Sequence, residues 1–136
     1  MKKIYLFFAA ALMLISCEED PDGRLQVGTY AATVSDGVLC VDVIDKSKCD
    51  VYLKGYDVYH GSYSIEGDLL TIKGFATMPY QNAEPGTITE NWRNNYTFTK
   101  GSGVINDDGS FGYFVDVQRP MSSDTNGSRF IIFTKQ

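Results

Sequence analysis

The chain has 136 residues, 12 basic and 17 acidic, for a net charge of −5, which leaves room for one ordinary domain and little else. With no basic stripe to pair phosphates, the composition argues against nucleic acid as a partner and against an electrostatic grip on anionic lipid. Hydrophobic residues make up 43%, and nine Tyr, eight Phe and 13 Gly favour an all-β domain, where aromatics pack pleated faces and glycines close turns.

Lys2 and Lys3 open the chain, and Ile4 to Ile15 run apolar without a charge. About a dozen residues is too short for a bilayer span, which needs roughly 20, and fits the h-region of a signal peptide. The run ends at Leu14-Ile15-Ser16-Cys17, which resembles the lipobox of bacterial lipoproteins. Residues 1–16 are therefore expected to be a signal peptide and Cys17 the lipid-bearing first residue of the mature chain. Without Lys2 and Lys3 the mature balance is 10 basic to 17 acidic residues, a net −7. Glu18-Glu19-Asp20 and Pro21-Asp22-Gly23 follow and offer nothing to bury, so residues 17–26 read as the lipidated cysteine and a flexible tether. The acidic run also resembles the surface-export signal of Bacteroidota lipoproteins. That resemblance implies an outer-membrane lipoprotein displayed at the cell surface; the alternative is the periplasmic face.

Residues 27–136 form the expected folded domain. Gly28 to Val34 alternates, Asp36-Gly37 turns, and Leu39, Val41 and Val43 share one face of the next strand. Asp45 to Lys48 reads as a turn and Val51 to Lys54 as a short strand. Tyr59, Gly61, Tyr63 and Ile65 fall on one face, with His60, Ser62, Ser64 and Glu66 opposite. After a turn at Glu66-Gly67-Asp68, Leu70 and Ile72 continue the apolar face. Met78 to Asn95 is irregular; Tyr96 and Phe98 resume the alternation. Asn106 to Gly109 turns, Phe111, Tyr113, Val115 and Val117 share a face, and a polar loop from Pro120 to Ser128 precedes a last strand, Phe130 to Thr134. Eight to nine strands at this spacing predict an antiparallel meander closing as an up-and-down barrel, which removes exposed sheet edges; a β-sandwich is the alternative.

Gly28-Thr29-Tyr30 and the hairpin Gly61-Ser62-Tyr63-Ser64-Ile65-Glu66-Gly67-Asp68-Leu69-Leu70-Thr71-Ile72 resemble segments of lipocalin-like, or calycin-like, domains. The first matches their Gly-x-aromatic opening, although the aromatic is Tyr where Trp is usual; the second matches a recurring hairpin. Together with the lipobox, they resemble the small lipocalin-like lipoproteins of gut Bacteroidota. The resemblance implies a meander barrel and, at most, small apolar ligand binding.

No catalytic set is legible. His60 is the one histidine and lies on a polar strand face, without a Gly-x-Ser-x-Gly elbow or a His-Glu-x-x-His motif. One His and no close Cys pair give no tetrahedral metal set, and Asp107-Asp108-Gly109 lacks the spacing of a calcium loop and reads as a hairpin turn. No metal and no cofactor is expected. Cys40 and Cys49 are near in sequence, but a turn at 45–48 would pair Ile44 with Cys49 and set Cys40 opposite Leu53, so a disulfide stays open. Tyr30, Tyr59, Tyr63, Tyr113 and Phe111 are expected to point inward and to fill the barrel rather than line a cavity. Tyr80, Trp92 and Arg93, in the long irregular stretch, are the candidate ligand-binding residues: two aromatics for stacking and one fixed positive charge.

The expectation is thus a membrane-anchored, non-enzymatic lipoprotein that serves as a binding or accessory module for a small apolar ligand or glycan. The alternative is a structural subunit that docks on other envelope proteins.

Overall fold

A computed structural model describes residues 25–79, 93–119 and 126–136. Ten strand segments build it: β1 Gly28–Val34, β2 Gly37–Val43, β3 Lys48–Leu53, β4 Tyr59–Glu66, β5 Leu69–Lys73, β6 Phe75–Pro79, β7 Arg93–Phe98, β8 Gly103–Ile105, β9 Phe111–Gln118 and β10 Gly127–Lys135. All pairings are antiparallel, and the sheet closes on itself because β10 pairs with both β9 and β1.

Ten segments make eight wall positions, because two long strands are broken. Gly74 separates β5 from β6, and residues 99–102 separate β7 from β8; β5 pairs with β8 while β6 pairs with β7. The interruption at 99–102 shifts the register between the two halves of this long hairpin, as a bulge does. The result is a closed eight-position antiparallel barrel, consistent with a lipocalin-like barrel, and not a sandwich.

The bulge leaves a backbone group of β5 without a ladder partner, and a side chain supplies one. Pairing of β5 with β8 stops at Leu70↔Gly103, and the Ile72 amide donates instead to the Tyr113 hydroxyl at 2.8 Å. Gly103 makes this possible, since a Cβ there would stand 2.5 Å from the Tyr113 ring and 2.7 Å from the Leu70 carbonyl oxygen.

The alternation read from the sequence places the core. Leu39, Val41, Val43, Tyr63, Leu70, Ile72, Phe111, Tyr113, Val115 and Val117 are all buried. Tyr30, Tyr96, Tyr113, Phe111 and Phe133 are the largest fully buried side chains and fill the interior with ring contacts, Phe111 stacking on Phe133 at 4.9 Å. Among the described residues the core runs from Leu25 to Phe133.

Three local expectations are corrected. Tyr59 is not interior; it is 39% exposed and packs on Phe75 at 4.4 Å where β4 parts from β5. The irregular stretch is shorter than 78–95, because Met78–Asn94 and Pro79↔Arg93 are strand pairs. The β2–β3 register is shifted by one residue: Val43 faces Cys49 and Cys40 faces Tyr52. The cause is Asp45, whose carboxylate accepts from the Ser47 and Lys48 amides at 2.9 and 2.8 Å and fixes a tighter loop. Both cysteines are buried and free. Cys49 points into the core and Cys40, three places along from Cys49's partner, lies on the opposite face, so the bridge left open by the sequence is not made.

Candidate functional site

The two ends of the barrel differ. One carries the short β2–β3 and β4–β5 turns; the other carries the β1–β2 turn, the connection 54–58 and the ends of β6 and β9. A polar cluster sits at the second end. The two-residue turn Ser35-Asp36, closed by the pair Val34↔Gly37, suspends the Asp36 carboxylate over the barrel mouth. Tyr96 of β7 comes from inside: its ring is core, and its hydroxyl donates to Asp36 Oδ2 at 2.6 Å. Arg119, just past β9, brings Nη2 to 2.9 Å from Asp36 Oδ2 and donates to the Tyr96 hydroxyl at 2.8 Å and to the Ser35 hydroxyl. Asn94 donates from Nδ2 to Asp36 Oδ1 at 3.4 Å.

Three side chains, two from β7 and one from just past β9, therefore converge on one carboxylate. The Asp36 and Arg119 side chains are only 13% and 16% exposed, so the pair is worth most as a specification of geometry, given the cost of desolvating both ions. Burial and then the Asp36 contact push the Tyr96 hydroxyl pKa up, keeping it a donor. Two buried polar atoms here have no partner: Asn94 Oδ1 and Arg119 Nε. Unsatisfied buried groups are rare and costly, and both lie at this one end of the barrel.

A cleft adjoins the cluster. The β1–β10 ladder pairs Tyr30↔Lys135 and Ala31↔Thr134, extends to Thr29 through the Gln136 amide, and goes no further. Beyond it the two strands part, leaving a concavity of ≈ 180 Å³ whose lining includes Ser35, Tyr96, Arg119, Arg129 and Phe130.

Of the candidate residues from the sequence, Tyr80 and Trp92 lie outside the described residues, as do Cys17 and the signal segment. Arg93 is engaged at the rim: Nε donates to the Thr77 hydroxyl at 3.0 Å, and Nη2 lies 3.7 Å from Asp57. Its neighbour Asn94 turns inward to the cluster instead, as strand alternation requires. Asp36, Tyr96 and Arg119 went unread because each has an adequate local role, as turn residue, core aromatic and loop residue. Their partners are 60 and 23 residues distant, and no spacing rule reaches that far.

His60 Nδ1 lies 2.7 Å from Asp50 Oδ1, which can only accept, but the His60 side chain is 84% exposed on the outer wall. Among the described residues no Ser or Cys bonds its other ring nitrogen, and no group of three His, Cys, Asp or Glu converges for a metal. The Asp107-Asp108-Gly109 segment forms its turn, with Asp108 accepting from the Ser110 amide and hydroxyl.

On the outer wall, Leu69 faces Val104, Val104 faces Gly112, and Gly112 faces Ile132; beside them Phe114 packs on Phe130 at 5.0 Å. All five side chains are 43–48% exposed. Comparison with family models, curated proteins and solved structures finds no match to this chain.

Proposed function

We propose that this protein is a lipid-anchored, cell-surface lipoprotein of an outer membrane, and that its barrel is a non-enzymatic binding module working through the mouth built on Asp36, Tyr96 and Arg119. The observation that carries this reading is a contrast. Among the described residues the interior is filled by Tyr30, Tyr96, Tyr113, Phe111 and Phe133, which argues for a ligand at the mouth rather than deep inside. The mouth, by comparison, keeps two buried polar atoms unpaired beside a cleft. Ligand sites combine a concave surface with a few placed polar groups, and this end has both. The lipobox at Leu14–Cys17 and the acidic run after it support the anchoring.

The experiment is a screen of glycans and small metabolites against the soluble chain from residue 18, followed by intrinsic Trp92 fluorescence. A ligand whose affinity falls in the pair Asp36→Asn and Arg119→Gln, while the fold is retained, supports the mouth as the site. A ligand indifferent to both places the site elsewhere.

A second reading, a subunit that docks on another envelope protein, is favoured by the outer strip Leu69, Val104, Phe114, Phe130 and Ile132, since contiguous exposed apolar surface marks contact sites. Under that reading, Phe114→Ser with Ile132→Ser abolishes a defined complex that the mouth variants leave intact.

A further inference from the structure

Five exposed apolar side chains lie side by side on the outer wall. Leu69, Val104, Gly112 and Ile132 face one another in a row across β5, β8, β9 and β10, and Phe114 and Phe130 form the next row. Gly112 has no side chain, and the Phe130 ring and the Ile132 tip lie over the space that a Cβ there would take, so the strip is continuous. Neither row contains a charged residue. The strip also has a definite height on the barrel. β1 begins at the end opposite its turn with β2, which is the end carrying the β4–β5 turn. Leu69 opens β5 there, and Val104 and Gly112 flank the β8–β9 turn. Ile132 is close to the end of β10, where that strand pairs with the start of β1. At about 3.4 Å per residue, the first row sits within roughly 10 Å of the end where the chain enters β1. Leu25 is buried in the core, so the chain is fixed from that point. Only residues 18–24 separate it from Cys17, a reach of at most about 28 Å.

We infer that the strip of Leu69, Val104, Phe114, Phe130 and Ile132 rests on the lipid surface that holds the acyl chains of Cys17, as a second point of attachment beside the tether. The inference rests on the anchoring proposed above. Five side chains, each a little under half exposed, offer roughly 400 Å² of surface, about half of the ≈ 800 Å² per partner that a stable protein interface buries. That area holds a protein partner or a second copy of this chain only weakly. A lipid surface on a short tether needs little intrinsic affinity, because the tether keeps it at a high effective concentration. Attachment of this kind scales with the apolar area buried. Glu18 to Arg24 have no apolar side chain except Pro21 with which to cover the strip. With 10 basic to 17 acidic residues in the mature chain, the contact is apolar rather than electrostatic and needs no anionic lipid.

The test uses the mature acylated protein in phosphatidylcholine vesicles that carry nitroxide-labelled phosphatidylcholine. A fluorophore is attached through Val104→Cys in the strip or, in a second sample, through Lys48→Cys, an exposed position at the same end of the barrel on the opposite wall. Cys40 and Cys49 are buried and stay unlabelled. Fluorescence from position 104 is expected to be quenched by the nitroxide lipid, and that from position 48 not. Phe114→Ser with Ile132→Ser is expected to lower the ratio of docked to undocked barrel at least about tenfold, while the chain stays on the vesicle through its acyl groups and keeps its thermal midpoint. Equal quenching at both positions, or quenching at 104 that survives the double variant, overturns the inference. Shielding at position 104 that rises with protein density but not with nitroxide lipid would assign the strip to a second copy, and shielding that requires another envelope protein would assign it to that partner; either result overturns the lipid assignment. A mature chain without acyl groups would overturn the anchoring and this inference with it, whereas an acylated chain unquenched at position 104 overturns this inference alone.

Discussion

Tyr96 Oη donates to Asp36 Oδ2 across 2.6 Å and so ties a core strand to the β1–β2 turn over 60 residues of chain. The same Asp36 oxygen lies 2.9 Å from Arg119 Nη2, which makes the three groups mutual neighbours. A carboxylate in this setting is held by a neutral donor from below and a cation from the side.

Removing one member has unequal consequences. Tyr96→Phe is expected to cost about 1.5–3 kcal/mol, a hydrogen bond to a charged group. Asp36→Ala leaves the Arg119 cation mostly buried and unpaired, and is expected to cost about 3–5 kcal/mol. The double variant Asp36→Ala with Arg119→Met is expected to recover part of that loss, because neither ion is then desolvated. Denaturant midpoints of the three variants give the ranking, and a double variant less stable than Asp36→Ala contradicts it.

The bulge at 99–102 makes Tyr113 more than a core ring. Tyr113→Phe leaves the buried Ile72 amide without an acceptor and is expected to cost about 1–3 kcal/mol. Gly103→Ala is expected to cost at least as much, since its Cβ would meet the Leu70 carbonyl oxygen at 2.7 Å, a backbone atom that cannot move aside. Gly112→Ala meets only the ring end of exposed Phe130 and the tip of Ile132, both free to rotate, and is expected to be the milder change. Thermal unfolding of the three distinguishes these cases.

Faces of the β4–β5 hairpin are tested by truncation. Tyr63 and Ile72 are 5% and 1% exposed, so either one changed to Ala is expected to cost about 2–5 kcal/mol. His60→Ala and Ser62→Ala, on the outer wall, are expected to stay within about 0.5 kcal/mol. The reverse order of urea midpoints would mean that the hairpin is inside out.

Alkaline pH is expected to weaken the fold. Burial pushes the Cys49 thiol up from 9.0 to about 12 and raises the Tyr30, Tyr96 and Tyr113 hydroxyls above their ordinary 10.0. In each case the folded value exceeds the unfolded one, so the native state holds more protons and its stability is complete below the unfolded value. For Cys49 the loss begins above pH 9.0 and continues towards 12. Melting temperatures measured from pH 7 to 11 are expected to fall from about pH 9 upward, and Cys49→Ala to lessen the fall, with the buried Cys40 thiol, also raised from 9.0, still contributing. A flat profile through pH 11 would contradict the burial of these groups.

Anchoring has its own test. Cys17→Ala is expected to leave an unprocessed precursor without acyl chains, which contribute about 0.8 kcal/mol per buried methylene to membrane attachment. Cleavage after residue 16 and palmitate labelling at the wild-type level in that variant would rule out the lipoprotein reading.

The sequence by itself determined what depends on near neighbours. Period-2 alternation put Leu39, Val41, Val43, Phe111, Tyr113, Val115 and Val117 inside, because a strand's side chains must take opposite faces in turn. Turn chemistry located the hairpins at 66–68 and 106–109, because so few residues accept those backbone angles. The Gly61 of the hairpin motif has a reason visible only in three dimensions: its Cβ would stand 2.2 Å from the Lys73 carbonyl oxygen. Tertiary structure alone decided the rest. The one-residue shift that parts Cys40 from Cys49 came from the Asp45 side chain, and Tyr59 went outward because β4 leaves β5 before reaching it. The gathering of Asp36, Asn94, Tyr96 and Arg119 required the barrel to close, since closure brings the ends of strands far apart in the chain to one rim. Hydrogen bonds and ion pairs act over a few ångströms in space and carry no mark in the spacing of residues along the chain.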